Sequence, residues 1–229
     1  MAACYLNEYP WPTLPHEPLL LIPVGSTEQH GPHLPFSVDT MIATAVAARA
    51  GDRLADVHKL KVVVAPDVEF GASGEHQDFP GTLSIGHAAL RLVLIELVRS
   101  ASSWTKKIVF VNGHGGNVET MTEATATMRS EGHSVSWVPC ALETATDAHA
   151  GFDETSVVLA LAPWVVRMTE ALPGNTQPLA EILPLLQKQG LRPITESGVL
   201  GDPSRANSKI GERLLEELVT SVTNRVLRD

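Results

Sequence analysis

The stretch GSTEQHGPHLPFSVDT, residues 25–40, decides how this chain is organised. It follows the apolar run Leu19–Val24, which is typical of a short buried strand. Glycine at positions 25 and 31 and proline at positions 32 and 35 prevent regular structure, so a loop is predicted at the strand end. Open α/β sheets place their binding sites at such ends.

This loop carries side chains that suit a divalent metal ion. Glu28 and His30 are two residues apart and project to one side of an extended segment, and Asp39 adds a second carboxylate. Carboxylates and imidazoles bind Zn²⁺, Mn²⁺ or Fe²⁺. The alternative is a solvated polar loop with an incidental histidine, and the cluster alone does not decide between the two.

Composition restricts the fold and the partners. The 229 residues are 44% hydrophobic, which predicts a single domain, residues 1–229, with a substantial core. The formal net charge is −9 and no basic run occurs, so neither nucleic acid nor a membrane surface is an expected partner. Two distant cysteines, no signal-peptide pattern and no long apolar segment predict a cytoplasmic protein with reduced thiols.

Predicted strands alternate with predicted helices along the chain. Residues 1–18 are predicted to be an extended lead-in on the surface, and Ser37 or Asp39 and Asn117 are predicted helix caps. Further strands are predicted at 61–66, 107–111 and 134–138. Helices are predicted at 41–54, 87–104, Val118–Ser130, 150–161, Leu179–Gln189 and 208–227. This order favours an α/β fold with a mostly parallel sheet covered on both faces.

Polar clusters follow three of the predicted strands. The clusters are Glu28, His30 and Asp39 after the first strand, Glu75 and His76 after the second, and His114 after the third. Because the carboxyl ends of parallel strands share one edge of a sheet, these clusters are expected to meet, which favours a metal site.

A fourth cluster lies in DAHAGFDETS, residues 147–156. His149 suits proton transfer because the pKa of histidine lies near neutrality. Glu154 and Asp153 stand near a helix start, where a carboxylate complements the helix dipole, so a purely structural role is the alternative for both. Nucleophilic serine or cysteine catalysis is not expected, because Ser26 and Ser73 lack a GxSxG context.

Five motifs in order, GSTEQHGPHLPFSVDT, GASGEHQDFPGT, NGHGGN, HAGFDETS and GVLGDPSRAN, together resemble the creatininase family of metal-dependent amidohydrolases. The resemblance extends from about residue 20 to the last helix. It implies a three-layer α/β/α sandwich, two divalent metal ions (Zn, Fe or Mn) per subunit at the carboxyl ends of the strands, and a homo-oligomer such as a hexamer.

The resemblance also implies roles for individual residues. Glu28 and His114 would bind one ion, His30 the other, and Asp39 both. Creatinine-cleaving members carry a metal-binding glutamate two residues after the histidine of the third motif, where this chain has Gly116. Glu154 is the expected replacement, as a ligand and as part of the catalytic centre.

The implied reaction is hydrolysis of a C–N amide bond by a metal-activated water, with His149 delivering a proton to the departing amine. The most similar branch removes a carboxy-terminal dipeptide from a small precursor peptide, and residues expected to face that substrate are Glu75, His76 and Arg205, with Arg192 as a second cation. Creatinine or formamide hydrolysis, or a metal-stabilised module without catalysis, are the alternatives. Five candidate ligands for two ions leave open positions, which favours catalysis.

Overall fold

The computed structural model describes residues 3–142, 145 and 147–228. The described residues contain five strands: β1 (Cys4–Tyr5), β2 (Leu19–Val24), β3 (Val62–Val64), β4 (Lys107–Asn112) and β5 (Val135–Pro139). They pair in the order β1-β3-β2-β4-β5, and every pair is parallel. The predicted parallel sheet is therefore confirmed.

Helices cover both faces of this sheet. They are α1 (Val38–Asp56), α2 (Gly86–Ala101), α3 (Val118–Ser130), α4 (Phe152–Leu161), α5 (Leu179–Gln189) and α6 (Ser208–Arg228). Along β2, Leu19 and Leu21 pack in the core with α1, α4 and α6, whereas Leu20 and Ile22 pack with α2 and α3. This alternation follows from the two-residue period of a strand, and it produces the expected three layers.

The expectation that residues 1–18 lie on the surface is wrong at their start. Cys4–Tyr5 forms an edge strand beside β3, and Ala3 is buried against the core. Asp52 of α1 holds this segment by accepting the Ala3 N–H (3.0 Å) and the Tyr5 hydroxyl (3.2 Å). A two-residue strand is too short to carry a hydrophobic period, so the sequence pattern did not indicate it.

The expected helix caps are also wrong. Helix α1 begins at Val38, and the Ser37 side chain makes no capping hydrogen bond. Asp39 lies inside the first turn of α1, where it is free to face the site, and the Asn117 side chain makes no capping bond to α3. The side chains of Asp39 and Asn117 instead contact distant segments of the chain, which local capping rules do not describe.

The carboxyl ends of the strands lie side by side at one edge of the sheet. Val24, the last residue of β2, pairs with Asn112, the last residue of β4. Helix α5 reaches the same edge through a small apolar cluster that includes Ile182, Phe79 and Leu191. In the described part of the chain, no helix combines the length and apolar character that crossing a membrane requires.

Candidate metal centre

Two strand-end loops and the first turn of α1 bring three ligand-type side chains together. Glu28 follows β2, His114 follows β4, and Asp39 comes from α1. His114 Nδ1 lies 3.2 Å from Glu28 Oε2 and 3.4 Å from Asp39 Oδ2, and all three residues are buried. They form the first ligand group, with the geometry of a metal site.

Glycines permit the close approach of α1 to the strand ends. A Cβ on Gly113 would collide with the backbone oxygen of Asp39, and a Cβ on Gly25 would collide with Thr40. Only a residue without a side chain therefore lets the first turn of α1 lie against both loops. The glycines at these two positions place Asp39 in the site.

His30 and Glu154, together with the shared Asp39, form the second ligand group, and His149 lies beside His30 and Glu154. His30 Nδ1 donates to the backbone oxygen of Glu28 (3.1 Å), which leaves Nε2 for an ion. That Nε2 lies 3.3 Å from Asp39 Oδ1 and 3.9 Å from Glu154 Oε2. Asp39 thus presents Oδ1 to the second group and Oδ2 to the first, which is the arrangement of a bridging carboxylate.

Glu154 has two contacts of different kinds. Its Oε2 accepts the Ala150 N–H at the start of α4 (2.6 Å) and also lies near His30. Its side chain is 29% exposed, whereas that of Glu28 is fully buried. The structural contact at the helix start and the ligand position are therefore compatible in one side chain.

The motif of the second loop supplies Glu75 and His76. Glu75 Oε1 lies 3.4 Å from His114 Nε2, and His76 Nε2 lies 3.2 Å from Glu28 Oε1. A Cβ on Gly116 would lie 2.7 Å from Glu75 Oε1. The Glu75 carboxylate thus occupies the space beside Gly116.

Burial and mutual charge set the protonation of the ligand groups. Burial, together with the charge of Asp39, raises the pKa of Glu28 to about 7. Burial opposes a charge on His30, but the neighbouring Asp39 outweighs it and raises the pKa of His30 to about 9. Burial likewise opposes ionisation of Asp39, yet His30 and His114 hold the pKa of that carboxyl well below its usual range. The negative charges of these buried carboxylates therefore favour a bound cation at this position.

Orphaned polar atoms provide an independent test of the fit to a metal. Both carboxylate oxygens of Glu28, Asp39 Oδ2 and His30 Nε2 are buried without a hydrogen-bond partner among the described residues. Buried polar atoms in that state are costly unless a ligand satisfies them. A mixed set of carboxylate oxygens and imidazole nitrogens suits Zn, Mn or Fe, so the residues present fit such ions.

The two remaining histidines of the site are held neutral. Burial, reinforced by the charge of His30, lowers the pKa of His149 well below its usual value. Burial also lowers the pKa of His76 to about 4, and the charges of His114 and His30 add to this effect while those of Glu75 and Asp39 oppose it. A neutral imidazole can accept a proton, and the predicted proton transfer by His149 stays a prediction.

A cavity of about 1150 Å³ opens onto these groups. Its wall includes seven of the polar residues described above: Glu28, Asp39, Glu75, His76, His114, His149 and Glu154. Helix α5 and the turn after it add apolar wall: Leu179, Leu183, Leu186 and Leu191. The cavity is large enough for a substrate the size of a short peptide segment.

The structure does not bring Arg205 to this cavity, contrary to the expectation that it faces the substrate. Arg205 is exposed on a 3-10 helix, Pro203–Arg205, that packs beside α4. Arg192 lies over the ring of Phe79, 4.9 Å from its centroid, and neither arginine is among the described residues of the cavity wall. Proximity in sequence to a site motif did not determine the direction of these side chains.

The sequence prediction missed the asparagines that position His114. Asn117 Nδ2 donates to the backbone oxygen of Gly25 (3.0 Å) and to Asn112 Oδ1 (3.1 Å), and its Oδ1 accepts the Ala72 N–H (2.9 Å). Asn112 Nδ2 donates to the backbone oxygen of His114 (2.7 Å). These bonds tie together the loops after β2, β3 and β4. The signal was the pair of asparagines that flank His114 in NGHGGN.

The family model described as creatininase, creatinine amidohydrolase, matches residues 8–226. The mycofactocin precursor peptide peptidase of Mycolicibacterium smegmatis is 52% identical over 211 residues, which cover 92% of this chain and 85% of that protein. The protein of the same name from Mycobacterium ulcerans is 48% identical over 215 residues, with the same coverage.

Solved structures agree with the sequence comparison. A Bacteroides fragilis protein assigned as a creatinine amidohydrolase has a TM-score of 0.81 at 23% identity and covers 98% of this chain and 95% of its own. A manganese form of creatininase has a TM-score of 0.75 at 24% identity, and a variant of Zn–Zn type has 0.74 at 23%, each covering 97% or more of both chains. These similarities show the fold. The matched residues and the identity to relatives place this chain in the creatininase family of metal-dependent amidohydrolases.

Proposed function

We propose that this chain is a metal-dependent peptidase that releases a carboxy-terminal dipeptide from the mycofactocin precursor peptide. Relatives at 46–52% identity carry the name mycofactocin precursor peptide peptidase. The observation that carries the hydrolytic part of the proposal is Asp39. Its two carboxylate oxygens face His30 and His114 separately, as a bridge between two ions requires.

Two divalent ions, Zn, Fe or Mn, would be held in this arrangement. Glu28 Oε2, Asp39 Oδ2 and His114 Nδ1 would bind one ion, and His30 Nε2, Asp39 Oδ1 and Glu154 the other. Such ions would supply Lewis-acid chemistry by lowering the pKa of a bound water and polarising the scissile carbonyl. Three protein ligands for each ion would leave positions for water and substrate, unlike the four protein ligands of a closed structural site.

His149 is proposed to carry the proton of the reaction. It lines the cavity and is neutral near pH 7, because burial lowers its pKa well below the usual value. It accepts a proton as the water oxygen bonds to the carbonyl carbon. It then delivers that proton to the amide nitrogen as the C–N bond breaks, so the fragment leaves as an amine.

The cavity wall supports a peptide as the substrate. The leucines of α5 form an apolar wall that is longer than a small ring such as creatinine could contact. Glu75 and His76 line the same cavity and stay proposed substrate-facing residues. The chain is further proposed to act as one domain, residues 1–229, and to assemble as a cytoplasmic homo-oligomer.

The test is mass spectrometry of the metal-loaded protein incubated separately with the modified precursor peptide and with creatinine. The expected result is release of a dipeptide and no opening of creatinine, with EDTA-treated protein as the inactive control. Creatinine hydrolysis with an untouched peptide would overturn the substrate assignment. Inactivity of the fully metal-loaded protein on both would overturn the hydrolytic proposal itself.

A further inference from the structure

Gln29 contacts two histidines of the site, His76 and His149, but is not one of the proposed ligands. Its side chain is buried, with 5% of the residue exposed. Its Nε2 lies 3.0 Å from His76 Nδ1 and 3.1 Å from the backbone oxygen of Gly198. Its Oε1 accepts the Gly31 N–H (2.8 Å), and its own backbone oxygen lies 2.9 Å from His149 Nε2.

Two backbone groups fix the orientation of the Gln29 amide. The Gly31 N–H can only donate and the Gly198 carbonyl can only accept. Reversing the amide would set donor against donor at Gly31 and acceptor against acceptor at Gly198. The NH₂ group therefore faces His76 Nδ1, which must accept, so the proton of the neutral His76 ring resides on Nε2.

The same amide assigns the proton of His149. His149 Nε2 lies between the backbone oxygen of Gln29 and Gln29 Nε2, at 2.9 and 3.1 Å. The two amide hydrogens of Gln29 are already directed to Gly198 and His76. An unprotonated Nε2 would also turn its lone pair toward the Gln29 oxygen. His149 Nε2 therefore carries the proton and donates it to that oxygen.

We propose that Gln29 is a positioning residue that sets the tautomers of His149 and His76. A neutral His149 ring with its proton on Nε2 presents Nδ1 as the acceptor for the proton transfer in the proposed function, on which this inference rests. His76 presents an N–H near Glu28 Oε1 and is therefore not a metal ligand. Gly198 is required for this orientation of the Gln29 amide, because a Cβ at that position would collide with Gln29 Oε1.

The experiment records long-range ¹H–¹⁵N correlations of the zinc-loaded protein labelled with ¹⁵N-histidine. His76→Gln and His149→Gln variants identify the two ring systems by the signals that disappear. We expect the wild type to show the Nε2–H tautomer for both rings. A proton on Nδ1 of either ring would overturn the proposal, whether or not the protein cleaves peptide, so the two proposals fail separately.

A variant tests whether Gln29 is the cause. Gln29→Glu can only accept, so His76 should move its proton to Nδ1, whereas His149 should keep its proton on Nε2, because the backbone oxygen of residue 29 still accepts it. Gln177→Glu makes the same change at an exposed residue outside the cavity wall and should leave both spectra and rates unchanged. An unaltered His76 tautomer in folded Gln29→Glu protein would refute the assigned role. If that variant does not fold, the wild-type spectrum still decides.

Discussion

The two ligand groups share Asp39 but differ in how the fold builds them. Glu28, Asp39 and His114 come from the ends of two central strands and the helix packed against them, and all three are buried. The second group depends on Glu154, which stands on α4 far along the chain, is 29% exposed, and also accepts the Ala150 N–H. The first group is therefore part of the core, and the second is completed by a later segment. We expect the second ion to bind more weakly.

Removing the shared carboxylate of Asp39 should abolish metal binding in both ligand groups. Asp39→Asn keeps the side-chain size but removes the charge, so both ions should be lost. Activity should fall by about 10⁴-fold or more, because the ions supply several kcal/mol and each tenfold in rate corresponds to about 1.4 kcal/mol. Metal analysis with activity assay measures this, and Asp67→Asn, a half-buried carboxylate bonded to Thr44, is the control. Full metal content in Asp39→Asn would refute the bridge.

Glu154→Gln separates the two groups. The amide oxygen of glutamine can still accept the Ala150 N–H, but the charge is gone, so the second ion should be lost while the first is retained. Activity should fall by about 10³-fold, because one Lewis acid is removed and the other remains. Metal titration followed by calorimetry checks this, with the exposed Glu212→Gln on α6 as control. Two ions at unchanged affinity would leave Glu154 only its structural contact at the helix start.

His149→Ala tests the chemistry without removing a carboxylate. Both ions should stay bound, and kcat should fall by about 10²-fold, because a lost general acid–base group typically costs ~10²–10⁴-fold. The measurement is metal content together with kcat at fixed pH, and added imidazole should restore part of the rate. Loss of the second ion would instead make His149 a ligand of that group.

Glu75→Gln should have the smallest effect and act on the first group alone. Glu75 Oε1 faces His114 Nε2, so it orients the ring whose Nδ1 faces the ion. Loss of such an outer partner typically weakens metal binding by about 10- to 100-fold, and we expect the lower end because glutamine keeps an acceptor oxygen. Competition with a chelator measures the affinity, again against Glu212→Gln. A weaker second ion with an unchanged first one would contradict this role.

The sequence predicted regular elements well where a hydrophobic period runs over several turns or residues. The bounds of α3 and α5 match the prediction, and the strands were located because each is a short apolar run between turn residues. The prediction failed at Cys4–Tyr5 and at the start of α1. There, contacts with Asp52 and with the strand-end glycines decide the structure, and no local pattern records them.

The sequence by itself determined the ligand chemistry and the edge of the sheet where it collects, because residues that follow parallel strands must share that edge. Only the tertiary structure decided which atoms meet. Gln29 contacts Gly198 from 169 positions away, Glu75 fills the space beside Gly116, and Arg205 is not among the described residues of the cavity wall. The direction of a loop side chain depends on such distant partners. A residue's neighbours in sequence therefore predict its presence at the site but not its contacts.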